Sequence, residues 1–354
     1  MDADAHAMDG DGDIDLVLAI EFGANILLIN DGNGVFTRSG GLPDSAHDSE
    51  DIAVADFNND GLLDIFFVSE DDQVNELFLN QGDGTYVDAS TRINFGGISN
   101  AVVAFDLNND GAMDLIIGNV GQLAVLINDG SGFFSNETQT RFSLDSYRIQ
   151  GLTLADVDND GDLDLLTADE RRNRIFINDG DGFFTDETSG RVPNVEDETR
   201  EVITADIDND GDLDIYYANV TFLTNYAANN RLLLNNGAGV FEEVTSQLST
   251  NPGENNFSAT FVELTGDDTP DLIVPSSNVF GNEAGSYAIY ANDSTGRFIK
   301  ANLATALPEG NGFDIATADF NNDGKMDMYL CNRSTGNPGT SSSVGGTDAL
   351  IFGD

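Results

Sequence analysis

The chain is poor in cations, thiols and imidazoles. Of its 354 residues, 14 are Lys or Arg against 63 Asp or Glu, a formal net charge of −49. Nucleic acid is held by Lys and Arg that neutralise phosphates, and anionic lipid surfaces by clusters of the same residues, so this balance argues against both partners. The single cysteine, Cys331, leaves no intramolecular disulfide. Its setting, Met328-Tyr329-Leu330-Cys331, reads as buried strand with an inert thiol. The two histidines, His6 and His47, form no cluster with cysteine, which argues against zinc; both read as surface groups. No apolar run reaches 18 residues, so no membrane span is visible, and no secretion leader is visible either. Sustained helical periodicity is missing. So are a Gly-x-Ser-x-Gly elbow, a phosphate-binding Gly-Lys-Ser/Thr loop and a Cys-x-x-Cys pair.

What the chain has instead is aspartate at fixed spacing. Asp206-Ile207-Asp208-Asn209-Asp210-Gly211-Asp212-Leu213-Asp214 reads Asp-x-Asp-x-Asp-Gly-x-x-Asp. Hard cations such as Ca²⁺ take six to eight oxygen ligands, and a short curled loop can supply most of them. Carboxylates at positions one, three and five converge, a glycine at position six permits the sharp turn at positive φ, position seven offers its carbonyl, and Asp214 closes the cage, with both oxygens. The loop resembles the front of an EF-hand but ends at position nine. Intact copies begin at Asp56, Asp106, Asp156, Asp206 and Asp319, and degraded ones at Ala7 and Glu263, with successive starts 49, 50, 50, 50, 57 and 56 residues apart. The expected ligands are Asp56, Asn58, Asp60 and Asp64; Asp106, Asn108, Asp110 and Asp114; Asp156, Asp158, Asp160 and Asp164; Asp206, Asp208, Asp210 and Asp214; and Asp319, Asn321, Asp323 and Asp327. Position seven is Leu62, Ala112, Asp162, Asp212 or Lys325, the indifference to side chain that a carbonyl ligand requires. About five structural Ca²⁺ ions are expected, with weak binding at Asp9, Asp11 and Asp15 and at Glu263, Asp267 and Asp271. Position four is Asn in every intact copy, a residue that tolerates left-handed backbone, and positions two and eight are apolar, pinning the loop to a core.

Each repeat has one grammar. In the fourth, Gly151–Ala155 alternates as a first strand, the loop follows, and Leu165–Ala168 and Arg174–Ile177 are further strands. Asn178-Asp179-Gly180-Asp181-Gly182 signals a tight hairpin, and Phe183–Thr188 is a fourth strand. Four short antiparallel strands per repeat predict an all-β, seven-bladed β-propeller with the loops between the first two strands of each blade. The repeats run 1–50, 51–100, 101–150, 151–200, 201–257, 258–313 and 314–354, as one domain. The last stops after a third strand, Ala349–Phe352, so the chain reads as a piece of a longer protein with further domains.

The segments Ala205–Asp214 and Leu232-Leu233-Leu234-Asn235-Asn236-Gly237-Ala238-Gly239-Val240-Phe241 resemble the FG-GAP/VCBS repeat family over essentially the whole chain. That family includes the propeller of integrin α chains and the cartilage-acidic-protein-like bacterial proteins. The resemblance implies a calcium-stabilised propeller, secreted or on the cell surface, working in adhesion or recognition of a protein or carbohydrate and not as an enzyme. A carbohydrate-active enzyme such as a polysaccharide lyase is the alternative, though scarce Arg, Lys and His count against it. Strand alternation puts loops and tight hairpins on one face and the long insertions, Thr221–Asn230, Ser276–Ser286 and Arg333–Asp348, on the other. Ligand binding is expected there, with Arg172, Phe222, Tyr226, Phe280 and Arg333 as first candidates, because aromatics and Arg dominate binding hot spots. Five Asn-x-Ser/Thr sequons occur, at Asn136, Asn219, Asn256, Asn292 and Asn332.

Overall fold

The computed structural model describes residues 2–142, 147–222, 229–249, 255–264, 266–277, 285–301, 307, 311–333 and 348–353. They build an all-β molecule of short antiparallel sheets whose strand order follows the chain. Repeat four shows the pattern, with strands Tyr147–Ala155, Asp164–Asp169, Arg174–Asn178 and Phe184–Asp186. The last repeat contributes three strands, Asn311–Ala318, Asp327–Arg333 and Ala349–Ile351. Second strands are apolar on both faces because both are covered: Ile65, Phe66, Phe67 and Val68 are fully buried.

Each buried apolar cluster lies between consecutive sheets. Phe57 and Phe66 meet Leu115 and Phe134 of the next repeat, and Tyr216 meets Leu272 and Phe298. The series closes on itself, since Leu16 and Leu18 of the first sheet pack with Phe320 and Tyr329 of the last. The Ala3 amide also donates to Asp314 Oδ2 at 2.9 Å across the same junction. The result is a propeller-like ring with the first strand of each repeat nearest its axis.

Three features depart from the expected grammar. The first strand of repeat four starts at Tyr147, not Gly151, and its opening residues pair with Val120 and Gly121, joining two sheets. First strands carry a register shift near their start, at Ser49/Asp51, Ser99/Ala101, Ile149/Gly151, Thr199/Glu201 and Gly312/Asp314. Single helical turns, Ser90–Arg92, Thr138–Arg141 and Thr245–Gln247, follow three of the outermost strands, where the sequence suggested only polar connectors; Thr188–Arg191 takes the same place but leaves the helical conformation at Ser189 (ψ 109°) and Gly190 (φ 103°). His47 is also no bare surface group. It pairs with Gly23 in a two-stranded ladder, and its ring lies between Asp72 and Glu76. Four of the sequon asparagines, Asn219, Asn256, Asn292 and Asn332, are buried and cannot accept a glycan in the folded state; Asn136 is exposed. Cys331 is buried, as its apolar strand required.

Candidate functional site

The aspartate loops fold alike. The position-one carboxylate accepts the amides of positions five and six: in the second repeat, Asp60 N to Asp56 Oδ1 is 3.1 Å and Gly61 N to Asp56 Oδ2 is 2.7 Å. Position-four asparagines are left-handed, with φ of 58° at Asn59, 61° at Asn159 and 60° at Asn209, and Gly211 at position six has φ 94°. In the sixth repeat Asp268 takes that place and is held at φ 64°, a conformation that costs an L-residue more than glycine. Position two is buried throughout the intact copies, at Phe57, Leu107, Val157, Ile207 and Phe320, whereas Met326 at position eight is exposed.

Position nine does more than close a loop. Asp64 is fully buried; its Oδ2 accepts the Phe57 amide at 3.0 Å and its Oδ1 the Asn80 amide at 2.8 Å. The same two bonds recur at Asp114, Asp164 and Asp214, and also at Asp15 and Asp271 in the degraded loops. This brace ties the loop to the third strand, so the residue is needed where the metal motif has decayed. Each oxygen has one lone pair already committed to the backbone. Both oxygens of Asp214 keep a second lone pair with which they could also hold a cation. Burial pushes Asp64, Asp164 and Asp214 up to about 7 and Asp114 up to about 6, in spite of the two amides that hold each carboxylate.

The loops differ at position three. Asp156, Asp158 and Asp164 bring carboxylate oxygens within 4.8 Å of one another, as do Asp206, Asp208 and Asp210. In both, the position-three Oδ1, of Asp158 or Asp208, is buried without a hydrogen-bond partner. An orphaned carboxylate oxygen among like charges is the arrangement a cation would satisfy, so these residues fit a hard ion. Where position three is Asn, the amide satisfies its neighbour instead: Asn58, Asn108 and Asn321 donate to the position-five carboxylate at 2.9, 3.0 and 3.1 Å. Of the degraded loops, Asp9 and Asp11 accept only local amides, and Glu263 Oε1 takes Gly266 N and Asp267 N.

At the other end of the first strands, roughly 15–20 Å from the loops at 3.3 Å per residue, lies a cavity of about 570 Å³. The bulged residues Glu50, Asn100, Gln150, Arg200 and Phe313 all line it, because a β-bulge re-aims a side chain out of the sheet. Asp2, Asp51, Glu201 and Asp314 add acid, and Arg200 is the one basic residue among the described lining. Burial pushes Glu50 up to about 8 and Asp51 up to about 6; burial and then the neighbouring Asp314 raise Asp2 and Glu201 far above the carboxylate range. One wall is aromatic. Phe257 stacks on Phe313 with ring centroids 4.2 Å apart, and the Arg200 guanidinium lies 5.3 Å from the centre of the Phe222 ring.

Of the ligand candidates named from sequence, Phe222 lines this cavity and half-buried Arg172 does not. Tyr226, Phe280 and the side chain of Arg333 lie outside the described residues, as do most of the three long insertions. The bulged residues were missed. Their signal was available: the same place in consecutive repeats holds Glu50, Asn100, Gln150 and Arg200, four chemistries within an otherwise repeating strand.

Sheets in a ring, loops at one end and a cavity at the other define a propeller-like repeat protein. The model of the FG-GAP-like repeat matches residues 8–67, 56–117, 106–167, 156–217 and 278–330. The chain belongs to that repeat family. The degraded loop at Glu263 falls between the matched segments. No curated protein matches the chain in sequence. Among solved structures, it is similar to an Agrocybe aegerita lectin described as recognising non-reducing terminal N-acetylglucosamine, with 18% identity, 100% of this chain and 94% of the lectin covered, and a TM-score of 0.60. It is also similar to BBS1N, solved in complex with ARL6DN, with 12% identity, 94% and 89% covered, and a TM-score of 0.59. At these identities the likeness is one of fold. Among the described residues, no helix is long and apolar enough to cross a membrane.

Proposed function

We propose that this chain is a seven-bladed, calcium-stabilised recognition propeller of the cell exterior, without enzymatic activity, that seats a protein or glycan ligand in the axial cavity on the face opposite the metal loops. The observation that carries the reading is the set of bulged residues, Glu50, Asn100, Gln150, Arg200 and Phe313, converging on one cavity from a uniform scaffold. A repeat that keeps its core and hairpins while varying one inward-facing position is built to present different chemistry to a single bound object. Fold neighbours that recognise a sugar or were solved with a protein partner are in keeping with this use. Calcium would be held by Asp206, Asp208, Asp210 and Asp214 and the Asp212 carbonyl, and by the corresponding residues of the other intact loops. Its role would be to neutralise clustered carboxylates and so stiffen the opposite face.

The test is a glycan array and a capture screen against extracellular proteins, followed by affinity measurement on Arg200→Ala, Gln150→Ala and Phe222→Ala with calcium present. A loss of tenfold or more in at least two of the three supports the axial seat. Unchanged affinity in all three folded variants rejects it.

A further inference from the structure

Three carboxylates outside the loops meet at the rim of the axial cavity. Asp48, Glu70 and Asp71 place oxygen atoms within 4.8 Å of one another. Asp48 precedes the first strand of repeat two, Ser49–Ala55, and Glu70 and Asp71 follow its second, Asp64–Ser69, so the ladder itself brings them together. Asp48 is 4% exposed, and its Oδ1 is buried with no hydrogen-bond partner. Its Oδ2 has only a long contact, 3.4 Å, from the Asp71 amide.

Equivalent positions in the other repeats show how the fold ordinarily treats this spot. The Glu70 amide donates to the Asp48 carbonyl at 3.1 Å, Val120 to Ile98 at 2.9 Å, Glu170 to Arg148 at 3.0 Å and Val220 to Glu198 at 2.9 Å. In repeat three the pair is therefore apolar. In repeat four the acid Glu170 faces Arg148 and forms an ion pair with it. In repeat five Glu198 receives Arg200 at 3.2 Å and the Phe222 amide at 2.8 Å. Repeat two alone among these sets acid against acid and adds a third. The nearby cations form their ion pairs elsewhere: Arg200 pairs with Glu170 and Glu198 and reaches Glu70 only through space, and His47 faces Asp72 and Glu76.

We infer that Asp48, Glu70 and Asp71 form a divalent cation site, separate from the aspartate loops and on the opposite face. Three oxygen donors without imidazole or thiolate select a hard ion of the Ca²⁺ or Mn²⁺ type. The buried Asp48 carboxylate fixes the ion, while half-buried Glu70 and exposed Asp71 leave coordination positions open to the cavity for water or a ligand oxygen. Arg148 provides in repeat four the positive charge that the ion provides in repeat two. The site does not depend on the recognition reading, since it follows from charge balance within the fold.

Crystals grown with MnCl₂ test it by anomalous difference maps. A peak is expected among the three carboxylates in the wild-type protein. It should vanish in Asp48→Asn and in the Glu70→Gln/Asp71→Asn double variant, while peaks at the intact loops show that both variants remain folded. The double variant alters only partly exposed side chains and guards against loss of the buried one. A wild-type map without the peak, or a peak that persists in both variants, overturns the assignment.

Discussion

Asn128 Nδ2 lies 2.8 Å from the carbonyl oxygen of Phe57, in the aspartate loop of the preceding repeat. The same side chain donates to the Met113 carbonyl of its own loop and accepts the amides of Gly130 and Gly132 in its own hairpin. Asn30, Asn80, Asn235 and Asn292 make the same inter-repeat bond, to Phe320, Met8, Val157 and Ile207. The loops return the grip, for Asn59 and Asn109 donate to the carbonyls of Gly130 and Gly180 in the next hairpin. The face with the loops is thus a belt of reciprocal side-chain to main-chain bonds.

Removing one link should be costly. Asn128→Ala leaves two carbonyls and two amides of the belt without their partner, and each unmet buried group costs about 1–3 kcal/mol. We expect a total of about 2–4 kcal/mol, because exposed parts of the hairpin recover water. Urea unfolding monitored by circular dichroism measures it, with exposed Gln139→Ala as the neutral comparison. A loss no larger than that of Gln139→Ala would refute the belt.

Arg141 offers a second test of coupling between repeats. It is 8% exposed, donates to the Asp181 and Gly182 carbonyls of the next hairpin, and its guanidinium lies 5.0 Å from the centre of the Phe183 ring. Gly182 has φ 76°, and a Cβ there would stand 2.4 Å from the Leu107 carbonyl oxygen, so that hairpin already packs hard against the loop. Arg141→Ala should lower stability by about 2–3 kcal/mol, and Arg141→Lys should recover less than half, since lysine lacks the planar fork. Full recovery by lysine would show that charge alone matters there.

Calcium affinity should not be equal among the loops. Asp208 Oδ1 is an orphan within a carboxylate cluster, whereas Asn58 has already satisfied Asp60. The Asp206 loop should therefore fill first. The Asp156 loop should follow, because Arg191 lies 3.1 Å from Asp158 and offsets part of its charge. Asp208→Asn should weaken the first calorimetric binding event roughly tenfold, about 1.4 kcal/mol, and Arg191→Gln should strengthen the second. Identical isotherms for wild type and Asp208→Asn would contradict this order.

The metal-free protein should gain stability on mild acidification. Burial raises Asp64, Asp164 and Asp214 from the ordinary 3.8 to about 7. Between those values the folded chain binds more protons than the unfolded one, so stability falls as pH rises through the window. In EDTA the melting temperature should be higher at about pH 5 than at about pH 8. Calcium should raise it most at the higher pH, and its binding near pH 6.5 should release protons into the buffer. A melting temperature in EDTA that climbs from the lower pH to the higher would sink the argument.

Much of this architecture could be read in the chain because it is local and repeated. An Asp-x-Asp-x-Asp-Gly-x-x-Asp segment curls by its own turn chemistry, so Gly211 and Asn209 take up positive φ as their identities required. Alternation in Leu152–Leu154 and the Asn178–Gly182 turn set strand and hairpin within a few residues of one another. Single turns such as Thr138–Arg141 escaped notice because four residues cannot display a helical period. The second duty of Asp214 was hidden for another reason. Its partner amide belongs to Asn235, beyond an intervening link whose length varies between repeats.

The sequence by itself determined the repeat, its strand grammar, the all-β class and the clustering of carboxylates, since each rests on contacts within about ten residues. Only the tertiary structure decided which side chains share a space. Glu50, Asn100, Gln150 and Arg200 are each separated by 50 residues and face one cavity because bulges turn them toward a common axis. Asp48 stands beside Glu70 and Asp71 because an antiparallel ladder returns the chain to its start. The physical reason is the same in both cases. Charge repulsion and desolvation act through space, and the distances that govern them exist only once the ring has closed.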